Sequence, residues 1–324
     1  MTNFQIYKKI LPFSLISFLI DLLTIIAVAG IAIGGFLIAD SASNQGLIGL
    51  AVGLVIGLIL SILVKIFITN VYKAGMIAMI TVGVTEGKLP DNTLHEGRRM
   101  VKERFVSIFA FFAVTGAIKG VFRQLGRMLN RLGSAVGGDV GNSITSIINS
   151  FIQVLISYLC DCCLGWVFYR KDENTASAAC EGAAIFFKHG KTLFKNMGRI
   201  FGMGFLSFLV IGGALAGAGF GICHLFPTAF STLSNEIIEA AQRGEVEISE
   251  IFYNQQFLMF IISFVVAVFL WNIIHGLFIK PFVLTGVIKN FMNSGIKDMP
   301  TEAEMADIEK KSPKFANLRK RTSQ

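Results

Sequence analysis

Charge is scarce in this sequence of 324 residues: 15% are Asp, Glu, Lys or Arg, against roughly 25% in an ordinary soluble domain. The chain therefore lacks the polar surface that a water-soluble fold of this size needs. Proline is also rare, at six residues, so long helical stretches run without interruption. Cysteine is present as five residues, an odd number with most of them in apolar tracts, and a secreted disulfide scaffold is excluded. No Walker A sequence, G-x-S-x-G elbow, H-E-x-x-H or dinucleotide fingerprint occurs, and no enzyme activity, cofactor or metal is expected. Cys160-Asp161-Cys162-Cys163 contains a C-x-x-C pair. A structural zinc site needs a second pair or histidines in register, so packed, reduced thiols are the expectation there.

Apolar residues fill the space that charge leaves. They make up 53% of the chain, phenylalanine alone contributes 30 residues, and the mean hydropathy is +0.65. At a rise of about 1.5 Å per residue, ~20 apolar residues cross a bilayer core of ~30 Å. Six runs meet that length, at residues 11–39, 47–69, 105–122, 144–169, 200–226 and 257–277. The expected fold is an all-α polytopic membrane bundle over residues 1–300, with a charged tail over 301–324. Lys8 and Lys9 precede the first run as in a signal peptide, but its apolar stretch is about twice a signal h-region, so a retained helix is expected.

The net charge of +8 is an orientation signal rather than evidence for nucleic acid. With the N-terminus inside, 23 of the 29 basic residues fall in inner segments and five in outer loops, while Lys65 lies within a run. That imbalance places both termini in the cytoplasm of a bacterial inner membrane protein. The outer five include a run of four, Lys119, Arg123, Arg127 and Arg131. At intervals of four they form a stripe along one helix face, expected either to pair with the acidic loop around Glu236, Glu239, Glu245, Glu247 and Glu250 or to collect anionic lipid headgroups.

An internal repeat organises the inner side. The tract from Tyr72 to Gly87 is answered by Lys280 to Gly295, each followed by a proline-containing turn and an Asp or Thr. A looser version gives Glu173-Asn174-Thr175 for Asp91-Asn92-Thr93. Glycine ends each inward helix, and a short polar residue caps a new one. The new helices, as at His95–Arg104, interleave cations with apolar residues, as a helix at an anionic leaflet should. The tract from Tyr72-Lys73-Ala74-Gly75 through Glu86-Gly87-Lys88 to Asp91, with its amphipathic helix and re-entry at Phe105, resembles uncharacterised six-helix bacterial membrane families. Among them is the membrane domain attached to some glycerophosphodiester phosphodiesterases. The resemblance covers about a third of the chain, rests on turn chemistry, and implies a lipid-facing bundle without the phosphodiesterase domain. A fainter similarity to choline-transporter-like proteins around the last two runs carries no residue assignment.

Ionisable residues inside apolar runs are costly and mark candidate functional positions. Four are singled out: Asp21, Lys65, Asp161 and His275. The last three each lie eighteen residues into their run, about 27 Å down an inward helix. Asp21 lies ten residues into the first, about 15 Å deep. A cytoplasmic-side polar cluster is expected, with Lys65 pairing to Asp161. The glycine series Gly30-x3-Gly34, Gly49-x3-Gly53-x3-Gly57 and Gly213-x3-Gly217 favours close helix packing. Two function classes fit: a transport or lipid-handling protein using this cluster, or a non-catalytic scaffold for other membrane proteins. Membrane lipids with anionic headgroups are the expected partners, with a protein partner or a second copy of the chain for the scaffold.

Overall fold

The computed structural model describes residues 1–43, 46–133, 141–243 and 254–320, and all regular structure among them is helical. The chain divides into two compact units, residues 1–197 with 281–324 and residues 198–280.

The first unit opens with α1 (Asn3–Ser43) and α2 (Gly46–Val64), which form an antiparallel hairpin. A five-residue π-helical segment, Lys65–Thr69, leads from α2 into α3 (Asn70–Thr85). Gly87 then adopts φ +69° and ends the helix, a left-handed conformation open to glycine without steric cost. Next come α4 (Thr93–Glu103), α5 (Phe105–Gly133), α6 (Gly141–Tyr169) and α7 (Thr175–Ser207). After the second unit follow α11 (Lys280–Lys297), α12 (Glu302–Lys311) and α13 (Pro313–Lys320), numbered after α8 to α10 of that unit.

At the three positions of the expected repeat a helix is followed by a capped helix, giving α3–α4, α6–α7 and α11–α12. The Asn92 side chain accepts a hydrogen bond from the His95 amide at 3.0 Å, and Asn174 accepts from Ala176 N at 2.9 Å. Thr301 and Glu304 close a reciprocal capping box. Such caps satisfy amide groups that a helix start leaves unpaired. Glycines let two of the pairs close up: a Cβ on Gly97 would stand 3.0 Å from the Gly75 carbonyl oxygen, and one on Gly182 3.2 Å from Cys163 Cα.

Among the described residues four helices are long and apolar enough to cross a membrane: Asn3–Ala42, Ile48–Thr85, Gly202–Cys223 and Gln255–Lys297. A fifth is obtained if Phe105–Phe112 and Thr115–Arg123, bent by 40°, count as one span. Six were expected. The apolar helix Gln153–Tyr169 is shorter than a span among the described residues, and its side chains from Leu155 to Phe168 are almost all buried in protein. A helix apolar on every side belongs either in lipid or in a protein core, and hydropathy does not separate the two. The Gln153–Tyr169 part of α6 takes the core position. Gly165 packs against Ile77 and Thr81 of α3 and Ile288 of α11, and the Trp166 ring meets Phe291 edge-on at 6.2 Å. The α1–α2 hairpin is the opposite case, with Leu23, Ile25, Ile56 and Leu58 all more than half exposed.

The charged tail belongs to this core. Phe315 and Leu318 of α13 are fully buried, the former 6.1 Å from the Phe187 ring. α13 packs on α5, where Lys314 Cδ lies 3.2 Å from the position of a Cβ on Gly120. At the other end of the 105–122 segment, Arg104 donates to the carbonyls of Val167 at 2.6 Å and Lys171 at 3.1 Å. Lys119, next to Gly120, therefore lies beside α13 of the tail.

Lys188 on α7 clasps the tail through Asp298 at 2.7 Å, Glu304 at 2.9 Å and the Met299 carbonyl at 3.2 Å. The Thr301 amide, with Lys188 behind it, holds the Glu304 carboxyl below its ordinary value of 4.5, and Asp298 and Glu304 raise Lys188 above 10.5. A depressed carboxyl contributes stability above its unfolded value and loses it as pH falls through the folded value. A raised lysine loses its contribution as pH rises through the folded value. Amide exchange of Glu302–Lys311, corrected for intrinsic rates, should accelerate on acidification below about pH 4.5. That acid response should be weaker in Lys188→Met, and an unchanged response would remove Lys188 from the clasp.

The second unit contains a π-helical segment at Phe208–Gly212, α8 (Gly213–Cys223), α9 (Pro227–Arg243), α10 (Gln255–Ile274) and another π-helical segment at His275–Ile279. α8 packs on α10 where Gly219 meets Ser263, with a 3.4 Å approach to its Cβ. The loop 244–253, with Glu245, Glu247 and Glu250, lies outside the described residues.

Candidate functional site

α4 is the element that most clearly builds a binding surface. Thr93, Gly97 and Val101, four residues apart, are buried against the core, while His95, Arg98 and Lys102 fall on the exposed side. This is the arrangement that 3.6-residue periodicity gives an amphipathic helix at an interface. The exposed side opens on a groove of about 810 Å³ between α1, α3, α4 and the start of α5. Ile16, Val71 and Phe105 supply apolar lining, and His95, Arg98 and Lys102 supply the polar groups.

The cations in the groove differ in how they are engaged. Arg99 is committed to carboxylates, donating from Nε to Glu96 at 3.0 Å and lying 3.7 Å from Glu103. Its pKa is raised by the Glu96 hydrogen bond. Arg98 instead sits over the Tyr72 ring, 5.6 Å from its centroid. Neither Arg98 nor Lys102 makes an ion pair among the described residues. Two unneutralised cations beside an apolar groove, on an amphipathic helix, can hold an anionic headgroup while the lining takes the start of an acyl chain. The basic character of this helix was legible in the sequence. The groove was not, because Ile16 and Val71 come from elements far away in the chain.

The four ionisable residues of the expected cluster are not assembled as foreseen. Asp161 pairs with Lys73, at 2.7 Å, and not with Lys65. Its side chain is 9% exposed, sealed in the α3–α6 core, so it lines no groove described here. Lys65 opens the first π-helical segment and is exposed. Asp21 accepts a hydrogen bond from Thr69, the last residue of that segment, at 3.2 Å. Asp21 itself is exposed on α1. His275 opens the π-helical segment of the second unit, its ring 4.9 Å from Trp271 and its Nε2 3.9 Å from the position of a Cβ on Gly204. π-Helical turns occur often at functional positions, and the segments leading into α3 and α11 each form one at the ionisable residue. Sequence periodicity held no signal for them.

Of the basic stripe, Lys119 and Arg123 are exposed on α5. Arg127 and Arg131 fall within α5, but their side chains lie outside the described residues. Cys160, Cys162, Cys163 and Cys180 are buried and unbonded, and burial pushes the Cys180 thiol up to about 12. That holds Cys180 in its protonated, weakly nucleophilic form. Among the described residues no group of three His, Cys, Asp or Glu side chains is placed to hold a metal ion.

No protein-family model matches the chain, and neither a curated protein nor a solved structure is detectably similar to it.

Proposed function

We propose that this integral membrane protein, with its four to five candidate spans, handles lipid, binding an anionic phospholipid in the α4 groove. The observation that carries the reading is the pair of unneutralised cations, Arg98 and Lys102, beside the apolar residues Ile16, Val71 and Phe105. Each cation near an anionic headgroup contributes about 1 kcal/mol. The apolar lining suits an acyl chain rather than a soluble anion. The transport reading that relied on Asp161 loses support, since that carboxylate is buried and already paired with Lys73.

The full-length protein in detergent, titrated with phosphatidylglycerol and with phosphatidylcholine, should bind the anionic lipid more tightly by native mass spectrometry. Arg98→Glu/Lys102→Glu should lower phosphatidylglycerol affinity by about tenfold or more, with phosphatidylcholine binding unaffected. Equal affinity for the two lipids, or a preference that survives the double reversal, would overturn the proposal.

A further inference from the structure

A second cationic cluster forms where the tail meets α5, about 190 residues apart in sequence. Lys119 and Arg123 are exposed one helical turn apart on α5, and Gly120 between them is buried beneath the tail helix α13. The Lys314 stem crosses this glycine: its Cδ lies 3.2 Å, and its Nζ 3.4 Å, from the position of a Cβ on Gly120. Residues three and four apart on a helix have Cβ atoms about 5–6 Å from each other. The Lys314 ammonium is thus delivered to the stretch of α5 that carries Lys119 and Arg123. Lys73 contributes a fourth cation nearby, but it is neutralised by Asp161.

None of Lys119, Arg123 and Lys314 makes an ion pair among the described residues. The acids of the tail are engaged elsewhere: Glu302 and Glu309 bind Arg319, and Asp298 and Glu304 bind Lys188. Three like charges gathered on adjoining helices repel one another and oppose the docking of α13. Burial of Phe315 and Leu318 drives the docking in the other direction. An anion bridging the three cations removes the opposing force.

We infer that Lys119, Arg123 and Lys314 form a phosphate-binding site, distinct from the α4 groove, whose occupancy by the phosphate of an anionic lipid headgroup strengthens docking of the tail helix. The ligand chemistry is a phosphate group offered at a membrane surface. Since it binds the docked tail and not the released one, it stabilises docking by mass action. The site does not depend on lipid entering the α4 groove.

The test is amide exchange at Pro313–Lys320 in the full chain, reconstituted into nanodiscs of phosphatidylcholine or of an equal mixture with phosphatidylglycerol. Exchange should slow by about tenfold in the anionic bilayer. Lys314→Glu, which places an anion between two cations, should protect α13 in both bilayers and abolish the lipid response. Lys119→Gln should reduce the response without destabilising the tail. Inorganic phosphate added to neutral nanodiscs separates the sources: protection by phosphate alone assigns the site to the free anion, and protection only by phosphatidylglycerol assigns it to the headgroup. Equal exchange under all three conditions would overturn the inference, as would a lipid response that Arg98→Glu/Lys102→Glu removes, since the effect would then arise at the α4 groove. A response that outlasts the α4 double reversal while that variant loses lipid affinity leaves both sites standing and shows them to be separate.

Discussion

Lys73→Met should destabilise the folded protein by about 2–3 kcal/mol, measured by unfolding in mixed micelles of increasing SDS content. The reason lies in which group is left behind. Asp161 has a side chain 9% exposed and a lysine ammonium 2.7 Å away, and its neighbours Cys160, Cys162 and Leu164 are buried. Methionine at position 73 keeps most of the side-chain volume but abandons a carboxylate in an apolar core. Breaking a fully buried ion pair from one side costs about 3–5 kcal/mol. The lower figure applies because Lys73 keeps 32% of its side chain exposed and its charge is partly solvated. Lys73→Met/Asp161→Met should recover most of the loss, since an apolar pair of similar volume is often as stable as the ion pair it replaces. A double variant no better than the single would mean that Asp161 has further partners in the core. A single variant as stable as the parent would mean that water reaches the carboxylate.

The same residue shows how far the sequence could be read. Asp161 was evident as an ionisable residue in an apolar run, though its burial was not. Its partner was not, since Lys65 and Lys73 differ by two helical turns and only the packing of α3 on α6 chooses between them. The exposed apolar helices α1, α2 and α10 were legible because hydropathy and length are what a bilayer selects. That the Gln153–Tyr169 part of α6 is packed in protein was not legible, because a core helix and a lipid-facing helix share a composition. The helix pairs of the repeat were legible through their caps, at Asn92, Asn174 and Thr301, where a single side chain dictates local geometry. The tail was read as a charged appendage because its attachment rests on scattered residues, Phe315 and Leu318 of α13 and the Lys188–Glu304 pair among them, too sparse a pattern to stand out among ten charged neighbours. The two cationic sites followed the same rule. Arg98 and Lys102 were evident as a helix face, but the Lys314 contribution to the α5 cluster depends on a contact between segments remote in sequence.

Gly53→Leu should disrupt the α1–α2 hairpin, whereas Gly30→Leu, in the same hairpin and of equal size, should be tolerated. A Cβ on Gly53 would stand 2.6 Å from the Ile31 carbonyl oxygen and 2.9 Å from Ala32 Cα. These are backbone atoms, which no rotamer change can move aside. Gly49 meets the Gly35 carbonyl in the same way, and a Cβ on Gly57 would approach Val28 Cα to 3.2 Å. Gly49, Gly53 and Gly57 of α2 form one surface against α1, so a leucine at the middle position must push the helices apart along most of their contact. Overpacking of this kind costs about 1–3 kcal/mol and more where backbone has to shift. Around Gly30 nothing lies within 4 Å, and leucine there is favoured over glycine by helix propensity, by up to about 1 kcal/mol. The intrinsic preference is the same at both positions, so the difference between the variants reports packing alone. SDS-driven unfolding should place Gly53→Leu well below the parent and Gly30→Leu at or slightly above it. Equal loss at the two positions would mean that the outer face of α1 is also covered in the membrane, by lipid-buried protein that the chain itself does not provide.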